Sequence, residues 1–173
     1  MSLRPIITIP DAILRQESVP VERVDDDLRT LVADMFETMY DAPGIGLAAV
    51  QIGVLRRVLV IDATRSEEEE PDPIAMINPE ILHLGGAAAP YEEGCLSIPD
   101  VFAEVERPSE IRVAYTDIDG TRQERDCEGL LATVVQHEID HLDGKLFIDF
   151  LSRLRRDRII KRFVKAQRSS EEV

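Results

Sequence analysis

The chain has 173 residues, 44% of them apolar and 31% charged, a formal net charge of −14 and only two cysteines. That length suits one compact domain spanning residues 1–173, and the acidity excludes a nucleic-acid binder acting through the chain as a whole. The longest apolar runs fall well short of the roughly 18 residues a membrane helix needs, and two thiols are too few for a secreted disulfide scaffold, so a reducing cytoplasm is expected.

The segment 5–20 reads as extended chain with a short helix within 11–16. From Asp25 to Asp41 the apolar residues Leu28, Leu31, Val32, Met35, Phe36, Met39 and Tyr40 recur with helical spacing, and three aspartates at the start suit the helix dipole. Pro43 and Gly44 end that helix. A run of small apolar residues follows over 44–51, then a strand over 57–62. Residues 66–73, with four consecutive glutamates and two prolines, read as a solvated loop without a functional role.

Two short strands are expected over 74–84 and 87–92, separated by Gly85-Gly86. A hairpin is expected over 111–126, with Asp119-Gly120 as its two-residue turn. A helix over 128–142 stops at Gly144, and a last helix capped by Ser152 carries Leu154, Ile159, Ile160, Phe163 and Val164 on one side. Residues 151–173 hold eight Lys/Arg against three Asp/Glu, a basic tail on an acidic body. The pattern predicts an α+β fold, with short and mostly antiparallel strands around a central helix.

That central helix contains His137-Glu138-Ile139-Asp140-His141. Residues four apart on a helix differ by only about 40° around its axis, so both imidazoles can reach one metal ion. Glu138 lies beside such an ion, where a general base for an activated water belongs. A catalytic site of this kind needs a third ligand and one open position. The downstream patterns of the common metalloproteases fail here: Phe147 stands where one class has histidine, and the only later glutamates are Glu171 and Glu172. Upstream the candidates are His83, Cys127 and Cys95. Cys127 at a strand-to-helix junction reads as core and His83 as a surface or structural histidine, which leaves Cys95, beside Gly94, as the better ligand.

Three segments, Gly44-Ile45-Gly46-Leu47-Ala48-Ala49-Val50-Gln51, Glu93-Gly94-Cys95-Leu96-Ser97 and Gln136-His137-Glu138-Ile139-Asp140-His141, resemble in order and spacing the three motifs of the peptide deformylases. The stretches 35–40, 77–80 and 144–147 resemble the family as well. The resemblance implies a metal-dependent hydrolase that releases formate from the N-formylmethionine of nascent chains. It implies Cys95, His137 and His141 as metal ligands and Glu138 as general acid/base. Gln51 and the Leu96 backbone N–H would hold the developing oxyanion. A peptide would lie along Ile45, Gly46 and Gly94, with Leu130 and Val134 lining a pocket for the methionine side chain. The expected ion is iron(II), replaceable by zinc, nickel or cobalt, and the basic tail would dock on ribosomal RNA near the exit tunnel. Neither a membrane nor DNA is an expected partner. Phe102 departs from the arginine that many relatives carry near this position. Two other readings compete: a metalloendopeptidase using the same helix, and a non-catalytic metal- or ribosome-binding module.

Overall fold

A computed structural model of the chain describes residues 2–172. Five strands, β1 (Gly46–Ala48), β2 (Val58–Ile61), β3 (Ile74–Cys95), β4 (Ile98–Thr116) and β5 (Arg122–Glu128), form one sheet in sequence order, every neighbouring pair antiparallel. Three α-helices complete the architecture: α1 (Asp26–Asp41), α2 (Gly129–Leu142) and α3 (Arg153–Glu171). The expected α+β class with a C-terminal helix is present.

The apolar pattern explains the layering. β2 is buried on both faces: Val58 and Val60 pack with Leu28, Val32, Met35 and Met39 of α1, whereas Leu59 and Ile61 pack with Ala132, Val135, Ile139 and Leu142 of α2. Such a strand reads as a continuous apolar run rather than an alternation. Asp25 caps α1 by accepting the Leu28 N–H at 2.9 Å, and Ser152 caps α3 through the Arg155 N–H at 3.3 Å. Just beyond the end of α2 stands Gly144, whose φ of +73° and close approach to the Arg15 carbonyl exclude a side chain. A third cluster, built on Ile98, Val101, Ala103, Val105, Phe147 and Ile148, receives Ile159, Ile160 and Phe163 from α3. Leu154, read as part of that packed face, is instead 64% exposed.

The strands correct the sequence reading in three places. Gly85-Gly86 does not separate two strands. The chain runs on as β3, and the register slips there between the Gly85/Glu110 and Ala88/Pro108 pairs, so the glycines mark a bulge. β4 begins at Ile98, not near Ile111, and its buried Val101, Ala103 and Val105 alternate with outward residues. The β4–β5 turn is longer than two residues. Thr116 pairs with Arg122, Asp117 N–H reaches the Thr121 carbonyl at 2.9 Å, and Asp117 Oδ1 also accepts the N–H groups of Asp119 and Thr121.

Candidate active site

Two elements bring the predicted ligands together. β3 and β4 are joined by the tight turn Leu96-Ser97, and the register between Gly94/Phe102 and Cys95/Ile98 skips residues on β4. A bulge of this kind re-aims a side chain, and here it places Cys95 facing α2. From α2, His137 and His141 supply their rings, edge to face with centroids 5.1 Å apart. One ligand atom from each of Cys95, His137 and His141 lies within 4.8 Å of the others, and Cys95 Sγ is 3.3 Å from His141 Nε2. Two donors on a tetrahedral ion with bonds of about 2.3 Å to sulfur and 2.0–2.1 Å to nitrogen stand about 3.5 Å apart, so the observed edge fits.

The two imidazoles sit in different electrostatic surroundings. Burial alone would depress both imidazoles, and it does hold His141 well below its usual pKa, as a neutral ligand requires. At His137 the hydrogen bonds to Cys95 and Glu93 overcome burial and push the pKa well above the usual value. Thiolate and imidazole donors together suit zinc, iron(II), cobalt or nickel.

Glu138 faces the same cavity. Its Oε2 is buried with no hydrogen-bond partner, and burial, chiefly, pushes its carboxyl up to about 7. A carboxyl poised near neutrality can both take and return a proton. Gly46 on β1 makes room for it, since a Cβ there would stand 2.6 Å from Glu138 Oε1 and 3.0 Å from Val134 Cγ1.

Gln51 is fully buried on the short 3-10 turn after β1. Its Oε1 accepts the Ala48 N–H at 2.9 Å, and its Nε2 is directed to Ser97 Oγ at 3.0 Å and toward Cys95 Sγ at 3.7 Å. Both ends of the amide are therefore fixed. Gln51, Cys95, Leu96, His137 and Glu138 line one cavity of about 550 Å³, and so do Ile45, Gly46, Gly94, Leu130 and Val134. Leu130 and Val134 also touch the core cluster under the sheet, so each serves the cavity wall and the packing. His83 is exposed on β3, and Cys127 is buried in the core.

Sequence reasoning assigned no role to the groups that orient His137. Its Nδ1 is 2.9 Å from Glu93 Oε1, which leaves Nε2 for an ion. Arg107, itself buried, grips Glu93 with Nε to Oε2 at 2.7 Å and Nη2 to Oε1 at 3.0 Å, and its Nη1 reaches Asp140 Oδ2 at 2.9 Å. Phe147, where a histidine was sought as third ligand, stacks on the His137 ring at 6.0 Å. The signals available were weak: two glutamates side by side before Gly94 do not say which of them turns inward, and an arginine fourteen residues later gives no local hint of its partner.

Comparison with known proteins agrees with this geometry. The family described as Polypeptide deformylase matches residues 3–157. The peptide deformylase of Rhizobium meliloti (strain 1021) is 57% identical over 98% of this chain and 97% of its own length, and that of Mesorhizobium japonicum is 61% identical over 95% and 93%. Among solved structures, peptide deformylase from Ehrlichia chaffeensis in complex with actinonin superposes with a TM-score of 0.91 at 43% identity, covering 97% of this chain and 99% of that one. That from Legionella pneumophila gives 0.88 at 44%, covering 99% of each. These matches support the deformylase reading and not the endopeptidase one. By sequence, fold and the constellation just described, the chain belongs to the polypeptide deformylase family.

Proposed function

We propose that the chain acts as one catalytic domain that hydrolyses the formyl amide of N-formylmethionyl peptides, with Cys95, His137 and His141 holding one divalent ion. The observation that carries this reading is that the ligand atoms of those three donors lie within 4.8 Å of one another, while Cys95, His137 and the buried Glu138, whose Oε2 has no partner, line one cavity. A divalent ion held there supplies a lowered pKa for water and polarisation of the formyl oxygen; iron(II) is the ion proposed for the cell.

The chain's own groups do the rest. Glu138 takes a proton from the attacking water at its carboxylate, the water oxygen bonds to the formyl carbon, and the carbon–nitrogen bond breaks to give formate. Glu138 then returns the proton to the departing amine nitrogen. Gln51 Nε2 and the Leu96 N–H donate to the charge that develops on the formyl oxygen, each contributing about 3–4 kcal/mol to transition-state stability. The peptide backbone lies along Ile45, Gly46 and Gly94, and Leu130 and Val134 meet the methionine side chain; all five line the same cavity.

The substrate emerges on ribosomes, and the basic face of α3 is proposed to dock on ribosomal RNA. Two free thiols suit work in a reducing cytoplasm, and no helix among the described residues is long and apolar enough to cross a membrane.

The test is turnover of formyl-Met-Ala against acetyl-Met-Ala, with iron(II) or nickel supplied anaerobically, by wild type and Glu138→Gln. Wild type should cleave only the formyl peptide. The variant should keep its metal and lose about 10²–10⁴-fold in kcat. Comparable cleavage of both peptides, or an active Glu138→Gln, would overturn the assignment.

A further inference from the structure

The acidic segment between β2 and β3 reads from sequence as a solvated loop, yet it is tied down at both ends and carries one cation to the cavity. Asp62, only 6% exposed, accepts the N–H groups of Thr64 and Asp72 through Oδ1 at 3.1 and 3.4 Å and the Tyr40 hydroxyl through Oδ2 at 2.7 Å. Arg125 holds Asp72 at 2.7 Å, and Thr64 Oγ1 donates to the Glu70 carbonyl at 3.3 Å. The Asp62 N–H donates to the Ile45 carbonyl at 2.9 Å, so the loop springs from the cavity wall itself.

Within this frame Arg65 uses only its backbone N–H on the loop, donating to the Glu69 carboxylate at 3.3 Å. Arg65 lines the catalytic cavity, the only Lys or Arg among the described residues to do so. The other charged lining groups are Glu92, Glu93, Asp100 and Glu138. Glu93 is taken by Arg107 and His137, which leaves a cleft mouth of negative character on a chain of net charge −14.

We propose that Arg65 is a specificity-determining residue for the part of the peptide that follows methionine. Its guanidinium receives a carboxylate there, either an Asp or Glu side chain or the terminal carboxylate of a short peptide. An acidic peptide is otherwise disfavoured by the surrounding charge, and a planar guanidinium offers two parallel N–H donors that a carboxylate matches. The inference rests on the deformylase reading and deepens it.

The experiment compares formyl-Met-Ala-Asp-amide with formyl-Met-Ala-Asn-amide, and formyl-Met-Ala-Ala with its amide, in wild type, Arg65→Ala and Arg65→Lys. Both turnover and equilibrium peptide binding are measured, at low and high salt. Arg65→Ala should lower the Asp-to-Asn ratio of kcat/KM about two- to fivefold, the size of an exposed to half-exposed ion pair, through KM rather than kcat. Arg65→Lys should fall between, and high salt should shrink the difference. A matching drop confined to the free-acid and amide pair assigns the terminal carboxylate instead of the side chain. Equal changes on acidic and neutral peptides would mean that Arg65 only shapes the loop, and no change would mean that it does not meet the peptide; either overturns the proposal. If wild type turned over no formyl peptide, the reaction assignment would fail, while the binding ratios would still decide the role of Arg65.

Discussion

Gly46 shows how little room the proposed catalytic carboxylate, that of Glu138, has. Its absent side chain is the space in which Glu138 Oε1 stands, and a methyl group would arrive at 2.6 Å, with Val134 behind it at 3.0 Å. The carboxylate is the end of a flexible chain and can move, but only out of place. Gly46→Ala should therefore fold and hold metal, yet lose about 10²-fold in kcat on formyl-Met-Ala, the cost of misplacing a catalytic group by about 1 Å. Full activity with a normal KM would show that Glu138 works from another position. The chemistry at this scale was legible in advance where residue type and spacing alone define it. His137, Glu138 and His141 sit within one helical turn and a half, and Cys95 is one of only two thiols. Glu93 and Arg107 were not, because their pairing exists only after two strands have found their register.

The elements are held to one another through the same groups that orient the ligands. α2 is fastened to β4 by Gln136 Nε2 on the Pro108 carbonyl at 3.0 Å and by Arg107 on Asp140, and to β3 by Glu93 on His137. Burial opposes ionisation of both Glu93 and Arg107, yet their mutual contacts, with His137 and Asp140, hold the Glu93 carboxyl below its usual range and the Arg107 guanidinium above its own. Removing one member leaves the others charged and buried. Arg107→Met should lower unfolding free energy by about 3–5 kcal/mol in a denaturant titration, and a loss under about 1 kcal/mol would show that the pair is dispensable. The helices were readable almost to the residue because Asp25, Ser152 and Gly144 mark their ends. The strands were not. Gly85-Gly86 carries the same signal for a turn and for a bulge, and Pro99, Asp100 and Pro108 conceal the alternation of Val101, Ala103 and Val105.

Across the whole molecule the charge is divided: the body is acidic and α3 is basic. Ile159, Ile160 and Phe163 anchor α3, while Arg158, Lys161 and Lys165 face outward. Arg155 is differently engaged, donating to the Phe102 carbonyl at 3.3 Å beside the cavity. Reversing Arg158, Lys161 and Lys165 to glutamate should abolish salt-sensitive co-sedimentation with ribosomes while leaving turnover of formyl-Met-Ala intact. Unchanged sedimentation would remove α3 from ribosome docking.

Three side chains, Cys95 at the end of β3 and His137 and His141 of α2, are proposed to bind a single divalent ion. Equilibrium metal titration of wild type, Cys95→Ala and Cys127→Ala under reducing, anaerobic conditions tests this directly. Wild type and Cys127→Ala should each take up one ion per chain with the same affinity. Cys95→Ala should weaken binding by more than the 10- to 100-fold that loss of an outer partner costs. Undiminished binding by Cys95→Ala, or a loss confined to Cys127→Ala, would contradict it.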